Sequence, residues 1–256
     1  MNEFLSDIIK SCISALILAF LNFCATKIYN YFTGYSKTFL WKNKYPKLET
    51  IKIPVSNLDE MKRRTRIVVI DDEDGFPLSI FQSEGYAIER WESVLDYGKL
   101  ESGFFDIIIL DIKGVASNIS EDDGLGVLES LKKKNPAQII IAYSQHSYDL
   151  NKTKFWELAD ETIAKPSDFL KMKSIIDSLI NEQYKPIRYI NTLHDILKNN
   201  KFSDKQIRLL DNALVKKAKN KNDQFDVKDI INSDNSPNEL LNQIEIISKT
   251  ILKFYK

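Results

Sequence analysis

Cysteine and histidine are scarce in this chain of 256 residues. The two cysteines, Cys12 and Cys24, both lie in one apolar stretch near the N-terminus, and His146 and His194 are the two histidines. Cysteines so few and so placed cannot supply a disulfide framework or a thiolate metal site. With so few nitrogen and sulfur ligands, a zinc centre is not expected either.

A surplus of charge is also missing, because 36 lysines and arginines balance 36 aspartates and glutamates. A general nucleic-acid binder needs a basic surplus to neutralise phosphates, so nucleic acid is not an expected partner. A local basic run exists at residues 215–221 (VKKAKNK), but it is typical of a solvated helix end. The content of 43% hydrophobic and 28% charged residues indicates a globular protein rather than a disordered one.

One long apolar run is present, and it lies at the N-terminus. Residues 11–25 are strongly apolar, and extension to residues 4–32 gives the length that a membrane-spanning helix needs, about 20 residues. Lys10 and Lys27 stand near the ends, where long side chains reach lipid headgroups, and aromatic residues follow as an interfacial belt. We therefore predict a transmembrane anchor over residues 1–34.

The same run has three other interpretations. Glu3 and Asp7 give the start the wrong charge for a signal peptide, and no convincing small-residue cleavage site follows. Lipid attachment to Cys24, as in a lipoprotein, would need a small residue directly before it, but Phe23 stands there. A buried core helix stays open, because the strict apolar run is short enough for one.

Basic residues cluster after the run, whereas a single lysine precedes it. Lysine and arginine stay on the cytoplasmic side of a membrane, so we expect a single-pass membrane protein with its bulk in the cytoplasm. Residues 35–64 contain two prolines and no sustained periodicity, and we predict a juxtamembrane linker there. Its lysines either contact anionic headgroups or are simply solvated.

Short β-branched runs alternate with helix-length segments from residue 65 to residue 184. Such runs suit parallel strands that are covered on both faces, and their alternation with helices predicts a doubly wound α/β domain. The predicted strands are residues 67–70, 86–91, 105–110, 138–142 and 161–164. The predicted helices are residues 78–83, 93–102, 124–134, 148–158 and 168–183.

Polar side chains follow these strands at the edge where parallel sheets bind ligands. Clustered carboxylates repel one another unless a cation neutralises them, and their hard oxygens suit Mg²⁺. A lysine beside them has no obvious structural role but is suited to a phosphoryl oxygen. The side chains that we expect to converge are Asp71, Asp72, Asp111, Ser144 and Lys165.

This set resembles the signature of response-regulator receiver domains. That signature is an acidic pair after the first strand, an aspartate after the third, serine or threonine after the fourth and Lys-Pro after the fifth. Here the residues are Asp71-Asp72, Asp111, Ser144 and Lys165-Pro166. The resemblance covers a little under half of the chain and implies a five-stranded parallel sheet of the flavodoxin-like type.

The resemblance also implies a role for each residue. Asp111 would accept a phosphoryl group as an acyl phosphate, while Lys165 and Ser144 would contact the phosphoryl oxygens. Such a transfer needs little covalent chemistry, because positioning and charge neutralisation supply the catalysis. The plainer alternative, acids that only cap helices, suits Asp71 or Asp72 alone but not the whole set. The implied Mg²⁺ ligands are Asp71, Asp72, Asp111 and the backbone carbonyl of Lys113.

The implied partners follow from this chemistry. A histidine kinase or phosphotransfer protein would supply the phosphoryl group, and modification of Asp111 would alter binding to an unknown downstream protein. Self-phosphorylation from a small donor and autodephosphorylation would be the only chemistry, so we do not expect an enzyme. The alternative is a receiver-fold scaffold that binds its partner whatever the phosphorylation state. A DNA-binding regulator is disfavoured by the predicted anchor and the neutral charge.

Two features depart from the family pattern. The loop from Ile112 to Asp123 is several residues longer than usual and lacks the usual Met-Pro pair. Because this loop borders the predicted pocket, donor access or partner choice would differ. Thr162 stands three residues before Lys165, where the family often has tyrosine or phenylalanine, which puts an aromatic switch at that position in doubt.

The C-terminal region, residues 185–256, is polar and shows helical periodicity. We predict helices at residues 187–198, 204–219 and 238–255, the second capped by Ser203 or Asp204. His194 lies in a Leu-His-Asp sequence that suggests a phosphotransfer helix, but a surface histidine is the better interpretation. No phosphate loop, cyclase motif or DNA-reading helix is evident, so protein contacts are the expected role.

Overall fold

A five-stranded parallel sheet forms the centre of the chain. The computed structural model describes residues 18, 20–26, 48, 57–145, 153–220, 225–231 and 237–255. The strands are β1 (Arg66–Ile70), β2 (Ala87–Trp91), β3 (Ile107–Leu110), β4 (Ile139–Ser144) and β5 (Glu161–Ala164). Their order in the sheet, β2-β1-β3-β4-β5, is the flavodoxin-like order, so the predicted five-stranded parallel sheet of the flavodoxin-like type is confirmed.

Helices precede the sheet, connect its strands and follow it. The helix at the end of the sheet domain, α6 (Phe169–Ser178), continues into a π-helical turn at Leu179–Gln183. The helices are α1 (Leu58–Arg64), α2 (Leu78–Ser83), α3 (Tyr97–Glu101), α4 (Asp123–Lys134), α5 (Thr153–Leu158), α6 (Phe169–Ser178), α7 (Pro186–Asn199), α8 (Asp204–Lys219), α9 (Val227–Ile231) and α10 (Asn238–Lys253).

Both faces of the sheet are buried, which explains why its central strands are continuous apolar runs. Alternate residues of a strand point to opposite faces. In β1, Ile67 and Val69 pack into the cluster that includes α2, α6 and the C-terminal helices. Val68 and Ile70 pack on the other side, against α3, α4 and α5.

Capping side chains fix several helix starts. The Ser203 side chain accepts a hydrogen bond from the Gln206 amide, and the Gln206 side chain accepts one from the Ser203 amide. This capping box satisfies two backbone donors at once and confirms Ser203 as the cap of α8. Asp168 caps α6 by accepting from the Lys171 amide at 3.0 Å.

Helix α1 corrects the expectation of a plain linker. It lies within the predicted linker, and its buried Lys62 contacts Asp177 (3.6 Å) and lies over the Tyr86 ring (4.9 Å). Farther upstream, the buried Leu48 accepts a hydrogen bond through its carbonyl from the Tyr255 hydroxyl at 3.0 Å. Five of its seven residues are charged, so it shows no apolar stripe in the sequence, which is why the pattern missed α1. The division of the chain into four regions stays a prediction.

The C-terminal helices share the core of the sheet. The three predicted helices are present as α7, α8 and α10, and the five-residue α9 was not predicted. Tyr189, Leu193 and Phe254 belong to the same apolar cluster as Ile107 and Ile139 of the sheet. The C-terminal helices therefore cover apolar surface that the sheet domain would otherwise expose to water.

Two ion pairs fasten these helices to the amino ends of strands. Lys253 Nζ donates to Asp106 Oδ1 (3.1 Å), just before β3, and to the Gly103 carbonyl (2.7 Å). Arg188 Nη2 donates to Asp160 Oδ1 (2.5 Å), just before β5. The C-terminal helices thus lie at the edge of the sheet opposite the predicted site.

The predicted anchor falls mostly outside the described residues. Residues 20–26 are helical, and the side chains of Phe20 and Leu21 are exposed. Among the residues that the structure describes, no helix combines the length and the apolar character needed to cross a membrane.

The shared core predicts that a cavity in the C-terminal helices destabilises the sheet as well. We expect Leu193→Ala to lower the free energy of unfolding by about 2–5 kcal/mol, because Leu193 is fully buried. Denaturant unfolding in a Trp41→Phe background, followed by the fluorescence of Trp91 and Trp156 on the far face of the sheet, measures this loss.

The matched control is Leu209→Ala on the exposed side of α8, which should change stability by less than about 0.5 kcal/mol. An unfolding midpoint that Leu193→Ala leaves unchanged in the tryptophan signal would show that the helices fold as a separate unit.

Candidate functional site

Backbone hydrogen bonds place two aspartates at the carboxyl edge of the sheet. Asp71 follows β1, and its amide donates to the Trp91 carbonyl at 3.0 Å. Asp111 follows β3, and its amide donates to the Ile70 carbonyl at 2.9 Å. Each aspartate thus extends the ladder by one bond, so both buried side chains have fixed positions.

Three carboxylates meet at this edge. Asp71, Asp72 and Asp111 each offer one oxygen, and these oxygens lie within 4.8 Å of one another. Oδ2 of Asp71 is buried and has no hydrogen-bond partner among the described residues. Buried carboxylate oxygens are normally satisfied by a donor, a water molecule or an ion, and a set made only of carboxylate oxygens suits Mg²⁺. The residues present therefore fit the predicted ion.

Lys165 joins two of these carboxylates. Its Nζ atom lies 2.5 Å from Asp71 Oδ1 and 2.5 Å from Asp111 Oδ2, and its side chain is only 5% exposed. Burial by itself lowers the pKa of the Lys165 ammonium group, but hydrogen bonds to Asp111 and Asp71 outweigh burial and raise this pKa above its ordinary value. Burial also raises the pKa of the Asp71 carboxyl group, against the effect of Lys165. The lysine stays charged and offsets the repulsion between the acids.

Ser144 and its neighbour complete the wall of the site. Ser144 is buried at the end of β4, and its carbonyl accepts from the Lys165 amide at 3.0 Å. The ring of Tyr143, one residue earlier, has its centroid 4.7 Å from Lys165 Nζ. Burial, with a contribution from the Asp71 charge, raises the pKa of Tyr143 to about 12. This aromatic support of the lysine was not predicted, although Tyr143 stands directly before Ser144 in the sequence and was the available signal.

The long loop after Asp111 is folded rather than open. Asp123, which has a φ of 53°, accepts hydrogen bonds from the Gly114 amide and the Ala116 amide, both at 2.6 Å. Val115 and Ala116 of this loop are fully buried. The side chain of Lys113 in this loop is exposed, and the role of its carbonyl as a metal ligand stays a prediction.

Two glycines allow the loop to approach the acids. Gly114 has a φ of 78°, and a Cβ atom there would lie 2.1 Å from Asp72 Oδ2. A Cβ atom on Gly124 would lie 2.1 Å from the Asp111 carbonyl. Only glycine fits such close approaches, so these positions hold the carboxylates and the loop together.

Three further polar residues lie at the site without having been predicted. Glu73 Oε2 is 3.5 Å from Lys165 Nζ, and both Glu73 oxygens accept from Gln145 Nε2 at 3.0 and 2.9 Å. Arg90 on β2 donates to the Asp71 carbonyl at 3.1 Å. Glu73 and Gln145 each follow a signature residue by one position, which was the available signal.

Thr162 is exposed on β5 and brings no ring to the site.

Several solved structures that are similar to part of this chain are receiver domains or response regulators. No protein-family model and no curated protein matches the sequence. A CheY-like receiver domain protein from Methanospirillum hungatei is 26% identical (TM-score 0.38) and covers 46% of this chain and 95% of its own. A two-component response regulator from Clostridium difficile is 17% identical (TM-score 0.39; 46% and 97%).

A third solved structure is response regulator TrrA from Thermotoga maritima in complex with Mg²⁺ and BeF. It is 28% identical to this chain, with a TM-score of 0.35, and the match covers 45% of this chain and 98% of that one. The fold is identified by the strand order of the sheet and by the geometry of the site, and not by these similarities.

The close approach of Gly114 to Asp72 predicts which substitutions weaken Mg²⁺ binding. We expect Gly114→Ala to displace the Asp72 carboxylate and to weaken Mg²⁺ binding about 10-fold or more, and Asp72→Ala to abolish binding. Mg²⁺ titration of the full chain, followed by tryptophan fluorescence or NMR, measures both effects.

Gly75→Ala is the control, because an added Cβ atom there meets nothing within 4 Å. Its titration should match that of the wild type. A wild-type titration curve for Asp72→Ala would contradict the assignment of the metal site.

Proposed function

We propose that this chain is a membrane-anchored receiver that accepts a phosphoryl group on Asp111 from a histidine kinase or phosphotransfer protein. The observation that carries the proposal is the position of Lys165, whose ammonium group lies 2.5 Å from Asp111 among three carboxylates. A buried ion pair adds little to stability, whereas ionisable groups with shifted pKa values cluster at functional sites, so this arrangement favours a chemical role.

The chain's own residues prepare Asp111 for attack. The Ile112 amide donates to Asp111 Oδ1 at 2.6 Å while Lys165 holds Oδ2, so the carboxylate has one fixed orientation. Lys165 is placed to neutralise a phosphoryl oxygen, and Ser144 is the nearby hydroxyl for another. Asp71, Asp72 and Asp111 would hold Mg²⁺, which supplies charge neutralisation when bound.

The output is a change in protein contacts. Phosphorylation adds charge and hydrogen-bond acceptors at Asp111, which favours a state with Lys165 and Ser144 drawn toward the new group. No catalytic output is proposed, because the chemistry ends with transfer to Asp111 and its later hydrolysis. Among the described residues, the C-terminal helices are held at the opposite edge of the sheet and leave the carboxyl edge free for a partner to contact.

Phosphorylation of Asp111 is the direct test. Incubation of the full chain with Mg²⁺ and acetyl phosphate should add one phosphoryl group by intact mass, and beryllofluoride should shift NMR signals around Ser144. Asp111→Asn should show neither effect, whereas Asp195→Asn, at an exposed position on α7, should behave as the wild type.

The opposite result would favour the scaffold. If the wild type shows no phosphorylation and no beryllofluoride response, and Asp111→Asn keeps full biological activity, the receiver fold serves as a phosphorylation-independent interaction module.

The membrane anchor is the second part of the proposal. It is supported by the apolar run in the sequence, by the basic residues that follow it and by the exposure of Phe20 and Leu21 on the described helical residues. Exposed apolar side chains on a helix suit a lipid environment better than water. The receiver would then face the cytoplasm of a bacterial inner membrane.

Fractionation tests the anchor. The full chain should stay with membranes through salt and carbonate washes, while a chain that begins at Tyr35 should be soluble. The truncation keeps Leu48 and α1, because both pack against the folded protein. Release of the full chain by salt alone would indicate surface binding instead of a spanning anchor.

A further inference from the structure

Glu73 and Gln145 connect the two loops at the mouth of the site. Glu73 lies two residues beyond Asp71, after β1, and Gln145 directly follows Ser144, at the end of β4. Gln145 Nε2 donates to both carboxylate oxygens of Glu73, at 3.0 and 2.9 Å. The same carboxylate lies 3.5 Å from Lys165 Nζ. Glu73, which is not a signature residue, thus binds the loop that follows Ser144 and also contacts Lys165.

The charge of Glu73 is close to the position that an incoming phosphoryl group must occupy. Lys165 Nζ lies 3.5 Å from Glu73 and 2.5 Å from Asp111. The nearest oxygens of the two carboxylates are therefore within about 6 Å of each other, a separation at which unit charges still interact in water. Because the side chain of Glu73 is about half exposed, solvent and salt reach this charge.

We propose that Glu73 is a specificity residue that disfavours doubly negative small phosphodonors at Asp111. Two effects combine. The carboxylate repels the donor, and it competes with the phosphoryl oxygens for Lys165. The inference rests on the proposed function, because it concerns which donors reach the acceptor.

Two small donors separate these effects by charge. With acetyl phosphate, a dianion, the Asp111 carboxylate attacks phosphorus, the phosphorus–oxygen bond to the acetyl group breaks, and acetate leaves with the electron pair. With phosphoramidate, which has one net negative charge near neutral pH, the phosphorus–nitrogen bond breaks and neutral ammonia leaves. Both reactions give the same acyl phosphate on Asp111, so the donors differ in charge on approach and not in product.

The experiment compares initial phosphorylation rates of the full chain with the two donors at saturating Mg²⁺. Glu73→Gln keeps the shape of the side chain and an oxygen for Gln145 but removes the charge. We expect its gain in rate with acetyl phosphate to be about threefold larger than its gain with phosphoramidate at low ionic strength. The difference between the two gains should shrink at high salt, because salt screens exposed charges.

Gln145→Ala is the matched variant, since it removes the tie between the loops and leaves the charge of Glu73 in place. Its preference between the two donors should equal that of the wild type. Equal gains for both donors in Glu73→Gln, or no gain at all, would overturn the specificity role while leaving the acceptor site intact. Absence of phosphorylation from either donor in the wild type is a different result, which would overturn the proposed function and the role of Glu73 together.

Discussion

Repulsion among carboxylates is the constraint on which the site depends. The parallel sheet brings Asp71 and Asp111 to the same edge as neighbours, and Asp72 adds a third charge. Lys165 offsets this repulsion with two contacts of 2.5 Å, and the ring of Tyr143 supports the lysine from below. Because β1 and β3 are neighbours in the sheet, the acids that follow them lie side by side, and this edge requires a cation.

The sequence predicted the parts of the fold that depend on local pattern. Strand β5 (Glu161–Ala164) and helices α2 (Leu78–Ser83) and α8 (Asp204–Lys219) have the predicted bounds, and Ser203 fixes the start of α8. The short helices α1 and α9 were missed, because α1 is mostly charged and α9 has only five residues, so neither shows an apolar stripe in the sequence. Predicted strand ends likewise identified the acids and Lys165, because their positions follow from backbone topology alone.

The sequence could not predict contacts between distant residues that do not stand at the ends of predicted strands by a known pattern. The bond between Glu73 and Gln145 joins positions 72 residues apart, and that between Lys253 and Asp106 spans 147 residues. Neither pair belongs to a repeating pattern, so only the folded chain reveals them. The same applies to Tyr189 and Phe254, whose helical spacing indicates a buried face but not the sheet that this face covers.

The shared core of the sheet and the C-terminal helices limits where the chain can be divided. A domain whose core ends at its own last helix can be joined to another domain without exposing apolar surface. Here Tyr189 and Leu193 fill the same apolar cluster as the strands, and Arg188 and Lys253 bind acids at the strand ends. A genetic fusion point after residue 184 would separate parts of one core. A change of side-chain volume on one side of this core is therefore felt on the other side, so the tail and the sheet cannot be redesigned independently.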